Sequence, residues 1–260
     1  MTETQPALDA DYFDGWYANM ARSPAVDEMS QRHLGLPPHL LSTSLLGWAG
    51  IAEVVTALRL PPGGLLVDLA CGRGGYGLEI AARTGARLVG VDFSAEALRQ
   101  ARDLAGQLGR PADFRVGDLA ATGLQTGCAD GVLCVDAIHF AGQPAAAYQE
   151  LRRLLTPGGR VVLTGWSVTD SSDRRLPDRV RNLALREGLA AAGFDDVVAQ
   201  ERPDWRETER AMWAEAVALD PDGDPALESL HDEAVRVLAT FDLMRRVMAT
   251  ATAPGPRPSA

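Results

Sequence analysis

One stretch constrains this chain more than any other: Val67-Asp-Leu-Ala-Cys-Gly-Arg-Gly-Gly-Tyr-Gly77. A short apolar run, Leu65 to Leu69, leads into it, and a helical pattern from Leu78 to Ala82 follows. The order predicts a strand, a glycine turn and a helix. In an open α/β sheet that turn lies at the carboxyl edge, where ligands bind. The same texture recurs downstream. Arg87–Val91, Asp113–Val116, Gly131–Val135, Arg160–Thr164 and Asp195–Ala199 read as further strands. Helical patterns separate them, with Ser94 capping one that runs to about Leu108. Strands alternating with helices predict an α/β fold built on a doubly wound parallel sheet.

The flanks are different. Tyr12, Phe13, Trp16, Tyr17 and Met20, then Leu45, Trp48, Ile51 and Val54, recur at helical spacing until Pro61-Pro-Gly-Gly64 ends the pattern. Two more helical patterns cover about 204–219 and 225–239, and a β-rich run closes at Thr252. We therefore expect an N-terminal helical cap (1–60), an α/β core (61–202) and a helical insertion (203–240). A final core strand (241–252) and a flexible tail (253–260) complete the chain.

Charge and composition remove whole classes of function. The net charge of −10 and a pI near 4.9 repel phosphate backbones, so no nucleic-acid substrate is expected. All 25 basic residues are arginine, which excludes lysine Schiff bases and a Walker A phosphate loop. No apolar run approaches the roughly 18 residues of a membrane span, and the opening MTETQPALDADYFDG reads as neither signal nor transit peptide. Cys71, Cys128 and Cys134 lack C-x-x-C spacing, so neither a disulfide scaffold nor a zinc site is expected. Histidines and carboxylates show no metal-ligand spacing either. A reducing cytoplasm is the expected location, and the sequence leaves the oligomeric state open.

The glycine turn admits two cofactors. From Gly72 it fits G-x-G-x-x-G, a dinucleotide fingerprint. Asp92, ending the second strand twenty residues later, could accept from two ribose hydroxyls of either cofactor. Asp68 tips the balance, because a carboxylate there sits badly against a pyrophosphate and well against an ammonium or sulfonium. Asp118, after the third strand, can accept from an exocyclic adenine amine, or can serve as a plain turn residue.

The ordered blocks VDLACGRGG, GVDFS, GDL, DAIHF and LTPGGR resemble the class I S-adenosylmethionine-dependent methyltransferases, in particular the methyltransferase type 11 small-molecule branch. The resemblance covers about residues 60–165. It implies a Rossmann-like seven-stranded sheet whose last strand is inserted antiparallel between the fifth and sixth. It implies S-adenosyl-L-methionine as cofactor. Asp68, Ala70, Gly72 and Gly74 would border its methionine end. Asp92 would hold the ribose, Phe93 would pack on the adenine, and Asp118 and Leu119 would bracket the adenine's amino edge. Val135 and Asp136 would lie beside the methionine ammonium.

The expected function is methylation of a small-molecule acceptor at O, N or C. A lysine-free, alanine-rich composition fits a GC-rich bacterium, where such enzymes often serve secondary metabolism, including antibiotic biosynthesis. His139, just past the fourth strand, is the candidate general base; its alternative is a pocket wall. Tyr17 from the aromatic flank and Trp166 from the fifth strand's rim join His139 as candidate acceptor-binding residues. His33, His39 and His231 are expected to be surface or packing residues. Two other classes remain: a methyltransferase fold keeping the cofactor as scaffold for a non-methylating reaction, and a nicotinamide-dependent oxidoreductase.

Overall fold

Successive residues of the central strands point to opposite sides and are buried on both. In β1 (Leu65–Leu69), Val67 and Leu69 enter one apolar cluster while Leu66 enters the other. In β4 (Ala129–Val135), Val132 and Cys134 join the first, and Leu133 and Val135 the second. Strands covered on both faces read as continuous apolar runs, which is why these segments were legible. With β2 (Arg87–Asp92), β3 (Asp113–Val116), β5 (Leu155–Val168), β6 (Asp195–Glu201) and β7 (Met244–Thr252), they form one seven-stranded sheet. The computed structural model describes residues 8–255.

The strand order is β3-β2-β1-β4-β5-β7-β6, and β7 runs antiparallel to both neighbours. This is the doubly wound, Rossmann-like arrangement expected. Order reverses between β1 and β4, so their carboxyl ends open a crevice. Three helices pack the face built by Leu66 and Leu133: α3 (Trp48–Leu58), α4 (Gly75–Thr84) and α5 (Ala95–Leu108). On the other face lie α6 (Pro144–Leu154) and α8 (Leu185–Ala191).

Four further helices are α1 (Ala10–Met20), α2 (Pro24–Leu34), α9 (Pro203–Ala218) and α10 (Pro225–Leu238), of which α9 packs on β7 and sends Trp205 into the core around Leu66. They share small apolar clusters of their own, one around Met29, Met212, Trp213 and Phe241, another around Met20, Val26 and Ala226.

Two expectations change. α3 belongs to the sheet, with Ile51, Val54 and Leu58 wholly buried in its core, so residues 1–60 are not one cap. A short helix, α7 (Asp178–Arg181), precedes α8 between β5 and β6. Ala253, placed in the flexible tail, is fully buried and donates its N–H to the Gly159 carbonyl. Residues 1–7 of the cap and 256–260 of the tail lie outside the described residues. Among the described residues no helix is long and apolar enough to cross a membrane.

Candidate active site

The chain leaves β1 through Ala70, Gly72 and Gly74, all in the left-handed region at φ 52°, 51° and 79°. For alanine that conformation costs about 1 kcal/mol or more, a strain tolerated only where the surroundings fix the turn. The glycines serve close approach. A Cβ at Gly72 would lie 2.7 Å from the Tyr17 hydroxyl. One at Gly74 would lie 3.1 Å from Ala101 and 3.2 Å from Phe114. Both glycines thus admit protein neighbours.

Three strand-tip aspartates line a single cavity of about 1020 Å³ that also reaches the cap helices. Asp68 is buried, lies near Asp92 and accepts the Gly77 backbone N–H. Burial first, and the Asp92 charge second, push its carboxyl up to about 8. Asp92 is buried too. One oxygen accepts the Gly72 N–H at 2.8 Å and the other the Ser94 N–H at 2.9 Å. Burial still raises it above its ordinary range, against the lowering effect of those bonds. Asp118 is exposed at the cavity wall and accepts the Ala120 N–H at 2.7 Å in a tight turn, with half-buried Leu119 beside it. Phe93 is half-buried, 5.3 Å from the ring of Phe13 on α1.

This end suits a cationic nucleoside. Two adjacent buried carboxylates have raised affinity for protons because no cation neutralises them, and a sulfonium with an ammonium would supply one. Each Asp92 oxygen keeps a free lone pair for a hydroxyl. A diphosphate at the same turn would add negative charge to an acidic wall. Among the described residues no group of three or more His, Cys, Asp or Glu is placed to hold a metal.

The other end is built differently. Asp136 (φ 53°) follows β4, but its carboxylate is fully engaged. It accepts the Leu45 N–H at 2.9 Å, the Thr164 hydroxyl at 2.7 Å and one terminal nitrogen of Arg246 at 3.1 Å, while the other terminal nitrogen forms an ion pair with it at 2.9 Å. The side chain is therefore held by the protein, while Val135 and Asp136 both line the cavity. The neighbouring Val135 carbonyl accepts the Ser44 hydroxyl at 3.3 Å. Arg246 is wholly buried on β7 and lies 3.5 Å from Glu209 of α9. Glu209 in turn accepts from the indole N–H groups of Trp166 and Trp213. Its carboxyl is raised by burial, with Arg246 pulling the other way.

The candidate acceptor residues separate. Trp166 lines the cavity, half-buried, with the Arg246 guanidinium 4.6 Å from its ring centre. Tyr17 instead sits over the glycine turn, so it belongs to the cofactor end. His139 lines the cavity edge-on to Trp166, with ring centres 5.5 Å apart. Burial first, and then the Arg179 charge, push its pKa down to about 3. Charging that ring at neutral pH would cost several kcal/mol, at about 1.4 kcal/mol per pH unit. Burial therefore holds the ring neutral, which favours the wall reading over the general base. Its Nδ1 is buried without a partner.

Sequence reasoning missed Glu209 and Arg246, and it missed a latch. Arg73, inside the glycine turn, is buried and pairs with both oxygens of Asp27 on α2, at 2.7 and 3.0 Å. Asp14 of α1 likewise accepts the Ser94 hydroxyl and the Glu96 N–H at the start of α5. Two cap helices are thereby tied to the cofactor end. Alternation along β7 could have flagged Arg246, which falls on the same side of the strand as Met244 and Met248. No local pattern marks Glu209.

Residues 67–163 match the family model described as a methyltransferase domain. Sterol 24-C-methyltransferase of Saccharomyces cerevisiae is 27% identical over 161 residues, which is 55% of this chain and 42% of that one. Ubiquinone biosynthesis O-methyltransferase of Xanthomonas axonopodis pv. citri is 35% identical over 115 residues, covering 43% and 47%. The chain spans under half the length of these relatives. Among solved structures, the [4+2]-cyclase SpnF aligns with a TM-score of 0.66 at 22% identity, covering 79% of this chain and 80% of that one. Haemonchus contortus phosphoethanolamine N-methyltransferase 2, in complex with S-adenosyl-L-methionine, aligns at 0.70 and 19%, covering 92% and 60%. At such identities the likeness carries the fold alone.

Proposed function

We propose, because this chain belongs to the class I S-adenosylmethionine-dependent methyltransferases, that it methylates a small organic acceptor held beneath its cap helices. The carrying observation is the uncompensated carboxylate pair Asp68 and Asp92, at one end of a cavity long enough for cofactor and acceptor together. Asp92 is assigned to the ribose hydroxyls, Phe93 to the adenine face, and Asp118 and Leu119 to its amino edge. Asp68, the 70–74 turn, the Val135 carbonyl and the Ser42–Ser44 segment border the methionine end.

When bound, the cofactor supplies an electrophilic methyl group. The chain's contribution is placement and exclusion of water, and oriented reactants can gain up to roughly 7–11 kcal/mol. Glu209, Trp166 and His139 shape the wall beside the transfer point. His139 stays neutral there, so a proton lost by the acceptor leaves by another route. A bacterial secondary metabolite as acceptor rests on the lysine-free composition, and a cytoplasmic location on three cysteines that form no disulfide. Whether the acceptor is methylated at O, N or C is for a panel to decide.

Incubation with S-adenosylmethionine and a panel of phenols, carboxylic acids and amines tests the reading. A methylated product should accumulate with equimolar S-adenosylhomocysteine. An acceptor converted without S-adenosylhomocysteine release would favour the second reading, a cofactor kept as scaffold. That reading draws on the likeness in fold to a named cyclase.

A further inference from the structure

The cavity wall formed by α7 and α10 carries charges that nothing in the protein satisfies. Arg179, Glu233 and Arg236 all line the cavity. Other arginines lining the cavity are tied down: Arg73 to Asp27, and Arg175 to Asp173. Among the described residues, Arg179 and Arg236 have no carboxylate within 4.0 Å and their side chains make no hydrogen bond. The Arg179 guanidinium lies 5.6 Å from the centre of the Phe140 ring, next to His139.

These side chains expose much of their surface, yet they behave as enclosed groups. Burial pushes the Glu233 carboxyl up, with Arg236 and Arg179 pulling it down, and burial pulls Arg179 below its ordinary range. Both observations hold if the exposed surface faces the cavity rather than open solvent. A guanidinium there presents a planar fork of donors in reduced dielectric, where a carboxylate is held most strongly. The carboxylates of Glu228, Asp232 and Glu233 on α10 line the cavity too, so the wall as a whole is not positive, but none of the three lies within 4.0 Å of either guanidinium.

We propose that this wall is an anion subsite, in which Arg179 and Arg236 grip a carboxylate carried by the acceptor. Tyr12, Phe13, Trp16 and Phe140 line the same cavity and fit an aromatic or long apolar body. The inference rests on the methyltransferase reading, since it names the acceptor class for that same cavity: an amphipathic acid. An amine of the same shape is disfavoured by Arg179.

Calorimetry separates this inference from the reading beneath it. Protein saturated with S-adenosylhomocysteine is titrated with benzoate, biphenyl-4-carboxylate and decanoate, and with the primary amide and primary amine of each. At least one acid should bind about tenfold or more tightly than its amide, as expected for charge-assisted bonds. Arg179→Gln and Arg236→Gln should each remove most of that preference while amide binding and S-adenosylhomocysteine binding persist, which also shows that the variants fold. If no acid outbinds its amide, if an amine binds best, or if both variants keep the full preference, the subsite is refuted. Loss of S-adenosylhomocysteine binding with acid preference intact would refute the cofactor reading alone.

Discussion

The two ends of the cavity are built on opposite plans. The cofactor end is a backbone structure: a left-handed turn from Ala70 to Gly74, and aspartates at the tips of β1, β2 and β3 that bond mainly to backbone N–H groups. The acceptor end is a side-chain structure in which Asp136, Arg246, Glu209 and two tryptophans are drawn from strands and helices far apart in sequence. A turn between successive elements can be specified by a dozen contiguous residues. A buried ionic cluster is specified only by tertiary packing.

Substitutions should sharpen that contrast. The largest effect is expected at the acceptor end. Arg246→Met leaves Asp136 and Glu209 buried without their cation, and breaking a buried pair costs about 3–5 kcal/mol. Chemical denaturation should show the loss, and a stability within 1 kcal/mol of wild type would mean the cluster is not closed as described. At the cofactor end, Asp92→Asn should weaken S-adenosylhomocysteine about 10–100-fold, since hydrogen bonds to a charged group are worth about 1.5–3 kcal/mol. Unchanged affinity in a calorimetric titration would remove the ribose assignment.

A smaller effect is a dependence on pH. Folded Asp68 holds its proton to about 8 against an ordinary value of 3.8, so the folded state binds more protons over that interval. Stability of the cofactor-free protein should fall as pH rises, by up to about 1.4 kcal/mol per unit. His139 acts in the opposite sense between about 3 and 6.5, and its contribution is complete above that. In the interval from pH 6.5 to 8 the histidine is silent, and the decline belongs to the buried carboxyls that are raised, Asp68 and Asp92 with Glu209 and Glu233. Asp68→Asn should flatten the decline there, and an equal slope in both proteins would contradict the raised carboxyl. The smallest effect is expected at His139. His139→Asn should change the rate less than tenfold and leave the pH–rate profile without a lost inflection near 6.5.

The sequence reading followed the same division. Strands buried on both faces announce themselves, as β1 and β4 did, and the glycine turn with Asp92 twenty residues on located the crevice. The order of the sheet and the antiparallel last strand came through the family resemblance. The sequence marked Asp136 and Tyr17 without their protein partners, Arg246 and the Gly72 turn, because both partners are distant in sequence. Histidine ordinarily titrates near neutrality, and the burial of His139 beside Arg179 is a property of the folded chain. Glu209 had no local signature at all. Helix α3 was read with the cap because helical spacing does not tell which layer a helix covers.

The account depends most on the cofactor end holding a sulfonium nucleoside. Calorimetric titration of the wild-type protein with S-adenosylhomocysteine and, separately, NAD tests this directly. The account expects saturable one-to-one binding of S-adenosylhomocysteine and no heat from NAD. Saturable binding of NAD without S-adenosylhomocysteine binding would contradict it.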